Sequence, residues 1–526
     1  MKLLTRRRFS QSLAGATVTL AATRWGASVA ETKAPETTTD EIAALSIAEA
    51  GVLLQSGSLK STELTRACLD RIALYNPKLD AFITVLAERA LAQAAQLDSE
   101  RQAGRIRSPL HGIPIALKDN IDTASIRTTA GSQVYDDRIP TKDAEVTRRL
   151  NAAGAVLIGK TNLDEFAGGI SYFGSVRNPW ALDRDPMGSS SGSAAAVAAT
   201  LTYGALGTDT GGSIRLPSAC CGVVGLKPTY GLVPIRGIVP MVMSLDHCGP
   251  ITRTVEDAAI LLTQLAGYDQ LDITSVDHPK EDYVAAMKRP VSDIRIGIPR
   301  APFYDHLDAE TSKAVERAIT ILSKLTKSTK DVQLPSTAAY TWMDLNSLGY
   351  EMYAYHEDLF KTDEARYMLM FRYFLKDYRD ELNASAESCS SKLSSYIRHR
   401  WDLELLRRTV DSVFNDFDFV VLPTVRTVPD KLSEVIRRGE HPGPTNPDKT
   451  NLDNTTAFNV FGIPAVSVPC GFSNDGLPIG LMIAGPHFSE ARLLSLARAY
   501  ELEAGWNLRR PKLNPNTLVP PIRRDS

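Results

Sequence analysis

Short apolar runs separated by helical stretches restrict this 526-residue chain to a sheet flanked by helices. Residues 113–117, 155–159, 205–208, 294–298, 419–422 and 465–468 are each four or five residues long and largely apolar. Runs of that length bounded by turn-forming or charged residues read as buried strands, because a helix needs about ten residues or more. The segments between them carry helical signals. Ser46 has capping-box spacing to Glu49 and opens a helix reaching about Gln55. Further helices are predicted over 61–75, 87–104 and 308–325, and 336–414 is largely helical. Strands alternating with helices predict an α/β fold. Residues 434–450 read as a polar loop containing prolines, and 511–526 as a loose tail. There is no internal repeat.

The chemistry concentrates in residues 207–217. Ser213 follows Gly211 and Gly212, with Asp209 and Thr210 before them and Arg215 and Pro217 after. Glycines allow backbone geometries closed to other residues, so successive N–H groups can converge on one point. Converging N–H groups beside a hydroxyl supply a nucleophile and an oxyanion hole for acyl transfer. A plain turn or a phosphate-binding loop is the alternative. A Walker-type loop ends in Gly-Lys-Ser or Gly-Lys-Thr, whereas this one ends Gly212, Ser213, Ile214. Upstream, Lys118 stands at the end of the apolar run 113–117, where burial lowers a lysine's pKa and lets it act as a base. The third element is the serine cluster Ser189, Ser190, Ser191 and Ser193, which leads into the alanine-rich stretch 194–199. Gly188, Ser190 and Gly192 also match the Gly-x-Ser-x-Gly elbow, which would make Ser190 the nucleophile of an α/β-hydrolase. That elbow needs a buried strand directly before it, and residues 183–187 are polar and broken by Pro186.

Lys118, the serine cluster and the Gly-Gly-Ser loop, in that order, resemble the amidase signature family. The resemblance covers most of the chain after residue 40 and is densest from 109 to 257. It extends through 159–167, 178–180, 225–231 and 244–250, and returns at 459–465 and in the hairpin-like 476–480. It implies one large α/β domain over 41–510, with a central mixed β-sheet flanked by helices. The poorly matching region 336–414 would help wall the substrate pocket. It also implies an amide hydrolase, with Ser213 as nucleophile, Ser189 as bridging serine after a cis peptide bond, and Lys118 as base. Neutral Lys118 would take a proton from Ser189, and Ser189 one from Ser213 as it attacks the carbonyl. The relay run backwards would protonate the leaving nitrogen, and water would then hydrolyse the acyl-enzyme. Backbone N–H groups of Thr210, Gly211, Gly212 and Ser213 would hold the oxyanion. Asp209 and Arg215 would keep the loop in shape, and Ser190 would lend a hydrogen bond. The chain departs from the family at Met187 and Ser191, where glycine is usual. A side chain there shifts the loop or costs energy if the position needs a positive φ.

No cofactor is implied. The eight histidines form no His-Glu-x-x-His, the six cysteines no Cys-x-x-Cys, and no Gly-x-Gly-x-x-Gly follows a strand. His111 and His247 lie in family-like segments and read as structural, and adjacent Cys220 and Cys221 as two buried thiols. With 59 basic and 61 acidic side chains, nothing favours nucleic acid or an acidic lipid surface. The expected partner is a small-molecule or peptide amide, and a homodimer is compatible with the sequence. Residues 1–30 read as a twin-arginine-type signal peptide: basic residues Arg6, Arg7 and Arg8 before Phe9, an apolar run over 13–22, and Ser28, Val29 and Ala30 before Glu31. A polar leader over 31–40 follows. The mature protein is expected in the periplasm or outside the cell, without stable membrane insertion. Peptide C-terminal amides are its first expected substrates, with aryl amides, small aliphatic amides and esters open. Two alternatives stand beside this. A glutaminase-type subunit of a tRNA-dependent amidotransferase, from the same family, is argued against by export. A non-catalytic periplasmic binding protein is argued against by the intact Lys118, Ser189 and Ser213.

Overall fold

Eleven strands make one mixed sheet in the computed structural model, which describes residues 38–336, 348–441 and 453–521. They are β1 (Phe82–Val85), β2 (Pro114–Lys118), β3 (Val156–Thr161), β4 (Gly204–Asp209), β5 (Val224–Lys227), β6 (His247–Thr252), β7 (Arg295–Ile298), β8 (Ser328–Asp331), β9 (Phe419–Pro423), β10 (Ala465–Phe472) and β11 (Pro478–Ala484). Their order across the sheet is β1-β3-β2-β4-β6-β5-β10-β11-β9-β7-β8. β2 runs parallel to β3 and β4, β7 runs parallel to β8 and β9, and the other neighbours are antiparallel. Seventeen α-helices among the described residues accompany the sheet, giving a single large α/β domain, and the described residues from 39 onward form one compact unit.

All six predicted strands exist, as β2, β3, β4, β7, β9 and β10. β2, β3, β4 and β9 are buried along their whole length, which is why they read as continuous apolar runs without alternation. The five unpredicted strands lack that signal. β1 and β8 are the sheet edges, and β8 is polar and mostly exposed. β5 and β6 carry glycine, and β6 also Pro250, which mask a strand pattern. The hairpin-like 476–480 is the tip of the β10–β11 hairpin, with Gly476 at φ +81°, followed by the start of β11.

The helices begin where the capping signals place them. Ser46 Oγ accepts the Glu49 N–H at 3.1 Å, and the Glu49 carboxylate accepts the Ser46 N–H at 2.9 Å, opening helix Ile47–Ser56. Asp308 caps Ala309–Leu325. Helix Ser61–Leu79 continues a turn past its predicted end, through Pro77, and so buries Leu79. The predicted helical region resolves into Gly349–Asp363, Leu369–Asn383 and Ala386–Thr409, with 337–347 outside the described residues. One expectation is corrected. The stretch predicted as a loop over 434–450 begins inside a helix, Leu432–Glu440, which turns Leu432, Ile436 and Gly439 inward. Three residues spaced by four and three hold it down although charges surround them. The rest of that stretch from 442, the predicted signal peptide and 522–526 lie outside the described residues, and 511–521 contains no helix or strand.

Candidate active site

Parallel pairing of β2 with β4 brings their C-terminal ends together, so Lys118 stands beside the 207–209 segment. Lys118 is fully buried. Its Nζ donates to Ser189 Oγ and to Thr208 Oγ1, both at 2.8 Å. Asn120 Nδ2 donates to the same Thr208 hydroxyl at 3.1 Å. Burial pushes the Lys118 amine well below the ordinary lysine range, against the opposing pull of Asp164, Asp209 and Asp246. A neutral amine in hydrogen-bond contact with a serine hydroxyl is a base in place.

Ser189 follows a cis Gly188–Ser189 peptide bond, the feature implied by the resemblance. Gly188 is pressed against Asp164, where a Cβ would collide with the carboxylate. Ser190 is fully buried, its Oγ donating to Thr208 O at 3.1 Å and accepting the Thr208 N–H at 3.2 Å. That tie joins the start of helix Ser191–Ala198 to the end of β4 and leaves Ser190 no route to a substrate. Residues 185–190 form no strand, so the elbow is absent. Of the two departures from the family pattern, only one matters to the backbone. Met187 sits at φ +58°, packed against Leu216, Ala219, Cys220 and Val425, whereas Ser191 begins an ordinary helix.

Across residues 201–221, Ser213 alone is not buried. Its hydroxyl makes no hydrogen bond with the described residues, while its carbonyl accepts the Ser190 N–H at 3.2 Å. The rest of the loop is braced from inside. Asp209 Oδ1 accepts the Gly212 N–H at 2.7 Å and Oδ2 the Ile214 N–H at 3.1 Å. Arg215 grips both oxygens at 3.0 Å, and Asn459 Nδ2 reaches Oδ1 at 2.8 Å. Burial would raise the Asp209 carboxyl, but Arg215 and Asn459 hold it well below the usual carboxylate range. Thr455 and Thr456 hydroxyls donate to Gly211 O at 2.6 and 3.1 Å, and Thr210 Oγ1 donates to Asp246 at 2.5 Å. Gly212 has φ +141°, and a Cβ there would strike Thr455 and Leu216, so only glycine fits.

This bracing changes one expectation. Of the four N–H groups predicted to face an oxyanion, that of Gly212 is committed to the Asp209 carboxylate. Those of Thr210, Gly211 and Ser213 donate to no described group. Asp209 and Arg215 are both fully buried beneath the loop. Asn459, Thr455, Asp246 and Thr208 were not singled out from sequence. Asn459 and Asp246 lie in family-like segments, but the Asn459–Asp209 contact joins residues 250 apart, beyond any spacing rule. His247 is buried, its Nδ1 2.6 Å from Leu245 O, and burial drives its pKa well below the usual value. Cys220 and Cys221 are buried free thiols. No described helix is long and apolar enough to cross a membrane.

Comparison with known proteins gives a consistent picture. A family model described as Amidase matches residues 63–494. The chain is 40% identical over 494 residues to a subunit of the glutamyl-tRNA(Gln) amidotransferase of Moorella thermoacetica, covering 90% of this chain and 99% of that one. Among solved structures it resembles the native peptide amidase of Stenotrophomonas maltophilia, with a TM-score of 0.73 and 35% identity over 90% of this chain and 99% of that one. It also resembles a chain from a vestigial complex bearing on the origins of an s-triazine catabolic enzyme, with a TM-score of 0.79 and 28% identity over 89% and 100% of the two chains.

Proposed function

The chain belongs to the amidase family and is a hydrolase of amide C–N bonds, and from that premise we propose that Ser213 is its nucleophile. The observation that carries this reading is the 2.8 Å contact between buried Lys118 and Ser189, at the foot of a loop whose one accessible residue is Ser213. Ser213 Oγ attacks the amide carbonyl. Its proton passes to Ser189 Oγ, and the Ser189 proton to Lys118 Nζ. The N–H groups of Thr210, Gly211 and Ser213 stabilise the oxyanion. The relay then returns its proton to the nitrogen, because an amide anion leaves too poorly unaided. Water releases the acid from Ser213 by the same steps. Thr208 and Asn120 fix the lysine, and Asp209, Arg215 and Ser190 fix the loop.

We propose peptide C-terminal amides as substrates and export as the route, with residues 1–30 as a twin-arginine signal. The likeness to a peptide amidase supports the first, and the order of Arg6, Arg7, Phe9, apolar run and Ala30 supports the second. Ammonia release from a panel of primary amides, peptide amides included, tests the chemistry. Ser213→Ala should lower turnover by about 10³-fold or more. Activity that survives Ser213→Ala and disappears in Ser190→Ala would defeat the assignment. Replacing Arg6 and Arg7 by lysine should trap the protein in the cytoplasm, and unchanged fractionation would remove the export reading.

A second reading, as the ammonia-producing part of an amidotransferase, is favoured by the 40% identity to such a protein over nearly its full length. It requires glutamine as the ammonia donor and silence toward peptide amides, which the same panel separates.

A further inference from the structure

A threonine hydroxyl can accept two hydrogen bonds and donate one. Thr208 Oγ1 accepts from Lys118 Nζ at 2.8 Å and from Asn120 Nδ2 at 3.1 Å, so its own proton points elsewhere. No acceptor among the described residues takes that proton. Its direction matters to Lys118. A neutral amine has one lone pair, and as the proposed base Lys118 must offer it to the Ser189 hydroxyl, 2.8 Å away. A Thr208 proton turned toward Nζ would occupy that pair instead.

Two orphaned acceptors share a cavity with Thr208. Asn120 Oδ1 and His247 Nε2 are buried and have no hydrogen-bond partner among the described residues. Asn120, Thr208 and His247 are 2%, 5% and 3% exposed, and all three line one cavity of about 10 Å³ beside Val239, Met241 and Asp246. That is room for one water molecule. His247 presents a lone pair at Nε2, because its proton is on Nδ1. Two carbonyls, Leu245 O at 2.6 Å and Asp209 O at 3.2 Å, lie nearer Nδ1 than the Asn459 amide at 3.4 Å. Burial and the Lys227 charge keep the ring neutral. The Asp246 carboxylate is already engaged by the Thr210 hydroxyl and the N–H groups of Met241 and Val242.

We infer that a water molecule occupies this cavity, accepting the Thr208 proton and donating to Asn120 Oδ1 and His247 Nε2. Three hydrogen bonds are usual for a buried water, and one molecule satisfies all three groups. His247 and Asn120 are thereby positioning residues. Through the water they hold the Thr208 proton away from Lys118 and reserve the amine's lone pair for Ser189. That positioning role rests on Lys118 as the base, whereas the water itself does not.

A high-resolution crystal structure of the purified full-length protein should show one water within hydrogen-bond distance of all three atoms. A dry cavity, or a water touching only one of them, overturns the inference. His247→Phe removes one acceptor and frees the Thr208 proton to turn toward Lys118. Its kcat should fall about tenfold with KM little changed, since the lone pair must first be released. The acid-side break in kcat/KM should also move about half a pH unit lower, because a hydrogen bond to the lone pair favours the neutral amine. The groups around Lys118 (Asp164, Asp209, Asp246 and Cys248) and around His247 (Lys227, Asp209 and Arg407) are unchanged in the variant, so they do not cause the shift. His247→Gln, whose amide keeps one donor and one acceptor, should restore both values. Wild-type kcat and break in His247→Phe would defeat the positioning role. So would a lower kcat with the break unmoved, or with no rescue by glutamine, since either marks a merely structural residue. Retained activity in Lys118→Ala would sink the base reading instead, and the crystal structure would still decide the water.

Discussion

As the proposed base, Lys118 depends on lacking the water that keeps most lysines charged. Burial lowers its pKa, so the amine is neutral above that lowered value and protonated below it. The base must be neutral to accept a proton, so kcat/KM should fall about tenfold per pH unit below that point and level off above it. Lys118→Arg sharpens the test, because a guanidinium keeps the charge and the donors but never deprotonates. It should lose about 10³-fold or more at every pH, and retention of a tenth of the activity would exclude Lys118 as the base. Met187 gives a milder expectation. Its left-handed φ costs about 1 kcal/mol, yet its side chain packs against Leu216 and Val425. Met187→Gly exchanges one effect for the other, so the urea midpoint should shift by less than about 1 kcal/mol equivalent with activity retained. A large loss of activity would show that the side chain itself shapes the pocket.

At the scale of elements, the turn Glu165–Ala167 after β3 is tied to helix Leu369–Asn383 by one carboxylate. Glu165 Oε1 accepts the Ser132 hydroxyl at 2.6 Å and Oε2 accepts the Met368 N–H at 2.9 Å, at the start of that helix. Burial pushes the carboxyl up to about 8, above its unfolded value. The folded state therefore holds a proton that the unfolded chain releases, and the stability this brings is complete below about pH 4 and lost as pH rises toward 8. The wild-type urea midpoint should decline over that range, and Glu165→Gln should flatten part of the decline. An identical slope in the variant would place the titration elsewhere. Elements that carry their own signal are legible in the sequence, such as β2, with five buried residues in a row, and the helix opened by the Ser46–Glu49 capping box. Those defined by neighbours are not. β6 pairs with β4 through Gly249 and Pro250, and helix Leu432–Glu440 is mostly polar beside the three residues that turn inward.

For the molecule as a whole, the loop proposed to carry catalysis is made in the first half of the chain and braced by the second. Lys118, Ser189 and Ser213 are legible as candidates because each sits in a short distinctive motif. Their supports are not, because Asn459 and Thr455 meet Asp209 and Gly211 across sequence separations of 250 and 244 residues. Such contacts have no spacing in sequence. They also tie the loop to helix Asp453–Val460, which precedes β10. Asn459 reaches Asp209 Oδ1 at 2.8 Å and accepts from Arg215 at 2.6 Å, all three fully buried. Asn459→Ala would leave Arg215 short of a partner in the interior, at a cost of about 2 kcal/mol. Since Asn459 supports the loop and not the base, kcat should fall while KM changes little. Asp209→Asn should destabilise more, by about 3–5 kcal/mol, because it leaves a buried guanidinium unneutralised. The two residues share one network, so the double variant should fall short of the summed single losses by about 1 kcal/mol. Strict additivity in urea unfolding would mean that the halves do not cooperate through this contact, and that the loop keeps its shape by local bonds alone.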